Sequence, residues 1–191
     1  DRLESELKAV SATVIRAASL GQAWDYIALL ARERSASLVV RTTHSILGES
    51  PLDQRLVDLG TQVFVTSASD VAVSEERLAL VKERCAQAQI GITGVDYAVA
   101  ETGTLVLLTG PGTGRLPSLL PPLHIALVEK RQVVGTLEEL LAILAERHLR
   151  PGEPFNSCVT FITGPSRSSD IEMTITLGVH GPKELHVIII E

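Results

Sequence analysis

The chain has 191 residues, 45% of them hydrophobic, enough for one compact domain with an aliphatic core that needs no stabilising metal or disulfide framework. One Trp, two Tyr and three Phe leave few rings for base stacking, and 17 basic against 23 acidic side chains give a net charge of −6, so nucleic acid is not an expected partner. No apolar run approaches the ~20 residues that a membrane-spanning helix requires.

Leu3, Leu7, Val10, Val14 and Ile15 recur at helical spacing and predict an amphipathic helix over residues 2–18. It reads as an N-terminal appendage (residues 1–20) ahead of a single α/β domain (residues 21–191). A second helix is expected from Ala23 to Arg34, after Gly21, followed by a short strand at Ser37–Arg41. Pro51 opens a helix that Gly60 stops, and Thr61–Thr66 is the next strand. Ser74, with Glu75 and Glu76 behind it, opens a helix running to about Ala88. Strands alternating with helices predict an open, mainly parallel sheet with helices on its faces.

The centre differs. Residues 92–108 alternate strand and turn with no helix between, which points to a local hairpin or crossing. His124–Glu129 is a strand, Thr136–His148 a helix with Glu138 and Glu139 in its first turn, and Ser157–Thr163 a strand. Pro151–Pro154 reads as a linker between elements. Glu184–Ile190, ELHVIII, is a near-continuous apolar run typical of a strand covered on both faces. Cys85 falls in a helical pattern and Cys158 in a strand pattern, so both read as small buried hydrophobes in a reducing, cytoplasmic compartment. A single disulfide between them is the alternative. The chain starts at Asp1 rather than Met, which leaves a preceding targeting segment open.

Three glycine-rich turns follow strands and carry the candidate chemistry. In the first, Glu101-Thr102-Gly103-Thr104, a carboxylate at the end of a buried strand would serve as nucleophile or general base; equally, it would accept backbone N–H groups and hold the turn. In the second, Gly110, Gly112 and Gly114 precede Arg115. Successive N–H groups in such a turn form an anion nest, and Arg115 suits a carboxylate or phosphate; an ordinary tight turn is the alternative. It is neither a Walker A loop nor the dinucleotide fingerprint, for want of the Gly-Lys-Ser/Thr ending and of the third glycine's spacing.

The third turn, Gly164-Pro165-Ser166-Arg167, runs on to Asp170 and Glu172. Two hydroxyls and a guanidinium there would bind an anion, with Asp170 orienting Arg167; a plain surface loop also accounts for it. His180, in a glycine-bounded turn, is a candidate acid or base. His124 begins a strand after a double proline, His186 reads as a core or edge residue, and His44 and His148 as solvent residues. No histidine pair has metal-ligand spacing, so no metal is expected.

Taken together, A-E-T-G-T (Ala100–Thr104), P-P-x-H (Pro121–His124), G-P-S-R-x-x-D-I-E (Gly164–Glu172) and G-V-H-G-P (Gly178–Pro182) resemble the lactate-utilisation protein C (LUD domain) family over the chain from about Trp24 onward. The resemblance implies a fold similar to the superfamily of glucosamine-phosphate isomerase, ribose-phosphate isomerase and coenzyme A-transferase. It also implies work with two iron–sulfur partner proteins in oxidising L-lactate to pyruvate, the partners carrying the clusters and this chain holding no cofactor. By analogy with the transferases, Glu101 would stand where they use a glutamate nucleophile, although the E-T-G-T context departs from their pattern. One pocket for a small anionic ligand is expected, with Thr102, Gly103, Thr104, Gly112, Gly114, Arg115, Gly164, Ser166, Arg167 and Asp170 as binding residues and Glu101 or His180 as proton carrier. The alternatives are an autonomous enzyme on a sugar phosphate, acyl-CoA or folate-like substrate, and a non-catalytic scaffold for the iron–sulfur subunits.

Overall fold

The computed structural model describes residues 2–48, 50–66, 75–150, 156, 158–169 and 175–191. In chain order the elements are α1 (Arg2–Ala9), β1 (Thr13–Ala17), α2 (Leu20–Glu33), β2 (Leu38–Arg41), α3 (Leu52–Asp58), β3 (Gln62–Val65), α4 (Glu75–Gln87) and β4 (Ile90–Gly94). Next come β5 (Tyr97–Val99), β6 (Thr104–Thr109), β7 (Leu123–Glu129), β8 (Val133–Val134), α5 (Leu137–Leu149), β9 (Cys158–Ile162), β10 (Arg167–Ser169), β11 (Ile175–Leu177) and β12 (Glu184–Ile190). Ser74 and the Pro151–Pro154 linker lie outside the described residues.

The main sheet has six strands in the order β1-β12-β7-β4-β2-β3, every pair parallel. A parallel strand covered on both faces needs apolar side chains at successive positions, which is why LHIALVE and ELHVIII sit side by side in its interior. One face packs Val39, Ile92, Ile125, Leu127 and Ile188 against Trp24, Ile27 and Leu30 of α2 and Leu52 and Leu56 of α3. The opposite face packs Ala126, Val128, Leu185 and Val187 against Leu3 and Leu7 of α1 and against Ala98, Leu105 and Leu107 of a second sheet. That sheet has four strands in the order β8-β5-β6-β9, with α5 on its outer side through Leu140 against Val99 and Val106. α4, through Cys85, and Ala88 just beyond it cover Leu38 and Val40.

The helix expected over residues 2–18 is corrected: α1 ends at Ala9, and Val14 and Ile15 belong to the edge strand β1. Ser11 takes a left-handed conformation at φ 67°, Ser11 N–H donates to Lys8 O and Ala12 N–H to Leu7 O, a C-terminal stop of the Schellman kind without its usual glycine. Thr13–Ala17 then pairs with His186–Ile190, and this ladder overrides the helical spacing of the apolar residues. α2 starts three residues earlier than expected. Ser19 Oγ accepts from Gln22 N–H at 3.4 Å, and Gln22 Oε1 accepts from Ala18 N–H at 2.8 Å, a reciprocal cap that begins the helix at Leu20.

The connections set the position of a site. From β1 to β2 to β3 the chain advances across the sheet with α2 and α3 on one face. From β3 it turns back through β4, β7 and β12 with α4 and the second sheet on the other. The loops leaving β2 and β4 therefore diverge to opposite faces, opening a crevice at the carboxyl ends of these neighbouring strands.

Candidate functional site

At that crevice β2 runs on into Thr42-Thr43-His44, and β4 ends at Gly94 before Val95-Asp96. A Cβ on Gly94 would stand 2.1 Å from His44 Nδ1 and 2.4 Å from its Cγ, so the bare Cα is what lets the imidazole lie across the end of β4. His44 Nδ1 accepts weakly from Ile46 N–H at 3.4 Å. The ring is half-buried rather than solvent-bathed, which corrects the expectation for His44; His148 is exposed. Asp96 Oδ2 accepts from Leu108 N–H at 2.7 Å.

Burial lowers the His44 pKa, against the pull of the Asp96 and Glu129 charges. Burial likewise raises the Asp96 carboxyl, opposed by the Leu108 N–H and by His44. For both groups burial disfavours the charged form, and the mutual attraction of their charges works against it.

The glycine-rich segment Gly110–Arg115 is strapped over the same end of the sheet. Gly112 O accepts from Thr43 N–H at 3.1 Å and from Thr66 Oγ1 at 2.9 Å, and Gly112 takes φ 73° to present that carbonyl. Thr113 Oγ1 accepts from Gly110 N–H at 2.9 Å and donates to Leu108 O at 3.2 Å. Nothing stands within 4 Å of the Cβ direction of Gly114, and the Arg115 side chain is exposed.

Inside the sheet, Thr93 Oγ1 and His124 Nε2 share a hydrogen bond at 2.9 Å. His124 is 1% exposed, and complete burial pushes its pKa down to about 3, so it is a neutral imidazole. Beside the crevice, Arg41, 7% exposed, forms a bidentate pair with Asp53 at 2.7 and 2.5 Å and donates to Thr42 O. On the α2 side of this edge lies an open cavity of about 340 Å³, walled by Leu20, Trp24, Ile46, Ser50, Glu129 and Arg131.

The other residues singled out from sequence lie elsewhere. Glu101 stands at the N-terminus of α5, its Oε1 accepting from Leu137 N–H at 2.6 Å. Thr102, Thr104 and Thr163 form a chain of hydroxyls at 2.7 and 2.8 Å. Gly103 and Gly164 carry α1: a Cβ on Gly103 would come within 2.6 Å of Glu6 C, and one on Gly164 within 2.3 Å of Val10 O. Arg167 donates to Val10 O at 3.1 Å and to Ser11 Oγ, closing the end of the same helix. Ser166 N–H donates to Pro182 O, and Lys183 N–H to Pro122 O, so Ser166 and the exposed His180 belong to the amino-terminal edge of β7 and β12, opposite the crevice. Asp170 and Glu172 lie outside the described residues.

Of the expected set, then, Gly112, Gly114 and Arg115 belong to the strap at the crevice, Gly103, Gly164 and Arg167 meet α1 and its end, and Thr102 and Thr104 bond to each other and to Thr163. His44, Asp96, Thr42 and Thr93 were not singled out by motif. Their signal was positional: Thr42, His44 and Asp96 follow closely on the buried strand runs LVVR and GITG, and Thr93 is the polar residue within the second. Among the described residues no group of three or more His, Cys, Asp or Glu is set to hold a metal, and Cys85 and Cys158 are both free. No described helix is long and apolar enough to cross a membrane.

An open parallel sheet with its polar cluster and glycine strap at the switch-point end defines a doubly wound α/β protein, a class whose ligands commonly bind at that end of the sheet. The chain belongs to the LUD domain family, whose sequence profile it matches over residues 1–190. It is 47% identical over 111 residues to "Lactate utilization protein C" of Halalkalibacterium halodurans, covering 57% of this chain and 47% of that protein. To the protein of the same name in Bacillus velezensis it is 36% identical over 146 residues, covering 73% and 60%. The chain spans about half the length of the curated relatives it matches. A solved DUF162 family protein from Deinococcus radiodurans superposes with a TM-score of 0.64 at 25% identity, covering 100% of this chain and 94% of that one.

Proposed function

We propose that this chain is the LUD-domain part of a protein that serves lactate utilisation, acting in the cytoplasm with iron–sulfur partner proteins in the oxidation of L-lactate to pyruvate. The observation that carries the reading is the match to the LUD domain across the chain, joined to relatives that share the name "Lactate utilization protein C". Each lactate oxidised releases two electrons and two protons. The electrons fall to clusters on the partners, since the chain offers only two cysteines, on separate elements. Its own part is to bind a small anion at the crevice, with Arg115 as the cation of the strap and the His44–Asp96 pair as proton acceptor.

The test is genetic and biochemical. A strain lacking the gene should fail to grow on L-lactate and recover with the intact protein, and affinity purification should bring down proteins that carry iron–sulfur clusters and are reduced by lactate. Normal lactate growth without the gene would refute the reading. The His44–Asp96 pair favours a second reading, an autonomous enzyme on a small anionic substrate, which requires turnover by the purified chain alone.

A further inference from the structure

The core between the main sheet and the second sheet runs out at the carboxyl ends of β1, β12 and β7. Ile189 of β12 pairs with Arg16 of β1 on one side and with Val128 of β7 on the other, so all three side chains lie on the face turned to α1 and the second sheet. There the core ends in a cavity of about 400 Å³. Leu3 of α1, Ala100 just after β5, Val133 of β8 and Ile189 form its apolar wall, and all four belong to that core or pack against it. The carboxyl end of the strands is the end at which open α/β sheets take their ligands, and the volume suits a small molecule.

The charged side chains of the wall are Arg2, Arg16 and Lys130 against Glu4 and Glu191, an excess of one positive charge. Glu4 is already satisfied. One of its oxygens accepts from Lys8 Nζ at 2.6 Å and the other from Arg16 Nε at 2.7 Å, and these two cations hold its carboxyl down at about 2. Arg16 also stands 3.6 Å from Glu191. Arg2 and Lys130 differ: their side chains have no hydrogen-bond or ion-pair partner among the described residues. They come from separate elements, α1 and the turn after β7, and both border the same cavity.

This wall selects its ligand. Sugars and polyphosphates would lose water against Leu3, Val133 and Ile189 without new hydrogen bonds in return. A cation is opposed by the positive excess, and a second negative charge by Glu4 and Glu191. What fits is one anionic group on a hydrocarbon body. We propose that the cavity is a binding site for a monocarboxylate with a hydrocarbon tail, the tail lying against Leu3, Val133 and Ile189 and the carboxylate held by Arg2 and Lys130. The site is separate from the crevice at β2 and β4, and it does not rest on the lactate-utilisation reading, since lactate has only a methyl group to bury.

The experiment is a titration of protein labelled with ¹³C at its Val and Ile methyl groups, using hexanoate, acetate and hexylamine as probes. Hexanoate should shift the Val133 and Ile189 methyl resonances. Each buried methylene contributes about fourfold to affinity, so acetate should bind at least about tenfold more weakly. Hexylamine, of similar shape and opposite charge, should leave both methyl signals unmoved. Arg2→Gln and Lys130→Gln should each weaken hexanoate binding by about threefold, and together by about tenfold. Both side chains are exposed, so the variants should fold normally. Hexanoate that leaves Val133 and Ile189 unmoved, acetate or hexylamine that binds as tightly as hexanoate, or a double variant that binds like the wild type would each overturn the site.

Discussion

Substituting Gly103 by Ala isolates what the E-T-G-T turn does for the fold. Gly103 has φ 62° and its Cβ direction points at the backbone of α1, within 2.6 Å of Glu6 C and 2.7 Å of Leu7 N. Gly60, at φ 81° after α3, has nothing within 4 Å in the same direction. Both alanines carry the left-handed penalty of about 1.5 kcal/mol, but only Gly103→Ala must push a helix away. Carbon atoms settle at about 3.5 Å, so α1 must retreat by about 1 Å and loosen Leu3 and Leu7, which adds about 1–3 kcal/mol. With about 2–4 °C of Tm per kcal/mol for a chain of this size, Gly60→Ala should lower Tm by about 3–6 °C and Gly103→Ala, at about 2.5–4.5 kcal/mol in all, by about 5–18 °C. Scanning calorimetry on both variants, with circular dichroism to check helix content, reads the difference. Equal losses would refute the seating of α1 on this turn.

Leu7→Ala, which empties a position with no exposed surface in the core between α1 and the main sheet, should cost about 3 kcal/mol in urea unfolding; a loss under about 1 kcal/mol would mean that α1 is not part of that core. Asp53→Ala leaves the Arg41 guanidinium buried without its bidentate partner and should cost about 3 kcal/mol, while Arg41→Met with Asp53→Leu should recover part of it; a double variant worse than the single would contradict the desolvation argument. His124 has its pKa depressed to about 3, below the unfolded value of about 6.5, so its stabilising contribution is complete above pH ~6.5 and is lost as pH falls towards 3. His124→Gln should therefore flatten the decline in unfolding free energy between about pH 6.5 and 4.5, by a slope near one proton; an unchanged slope would show that another group takes up the proton.

Where local chemistry is sufficient, the residues themselves announced the architecture. Ser37–Arg41 and His124–Glu129 read as strands, and ELHVIII as one covered on both faces, because a buried parallel strand needs apolar side chains at successive positions. Thr136, with Glu138 and Glu139 behind it, marks the start of α5, and Thr136 Oγ1 does accept from Glu139 N–H at 3.1 Å. The four ordered motifs also pointed to the LUD domain family, because a family signature is a property of residue order.

Tertiary structure alone decided the rest. Val14 and Ile15 fit a helix by spacing, and only the ladder to Val187 and Ile188 makes them strand. Strand order is a long-range property, so nothing local brings Gly94 and Asp96 to His44, or Thr42 to Thr93. Glycines at 103 and 164 look alike in sequence whether the space they leave is for a ligand or for a helix, and the close approach of α1 is what tells them apart. Local energetics chose the elements; the pairing of β2 with β4, which sends their loops to opposite faces, chose where the crevice opens.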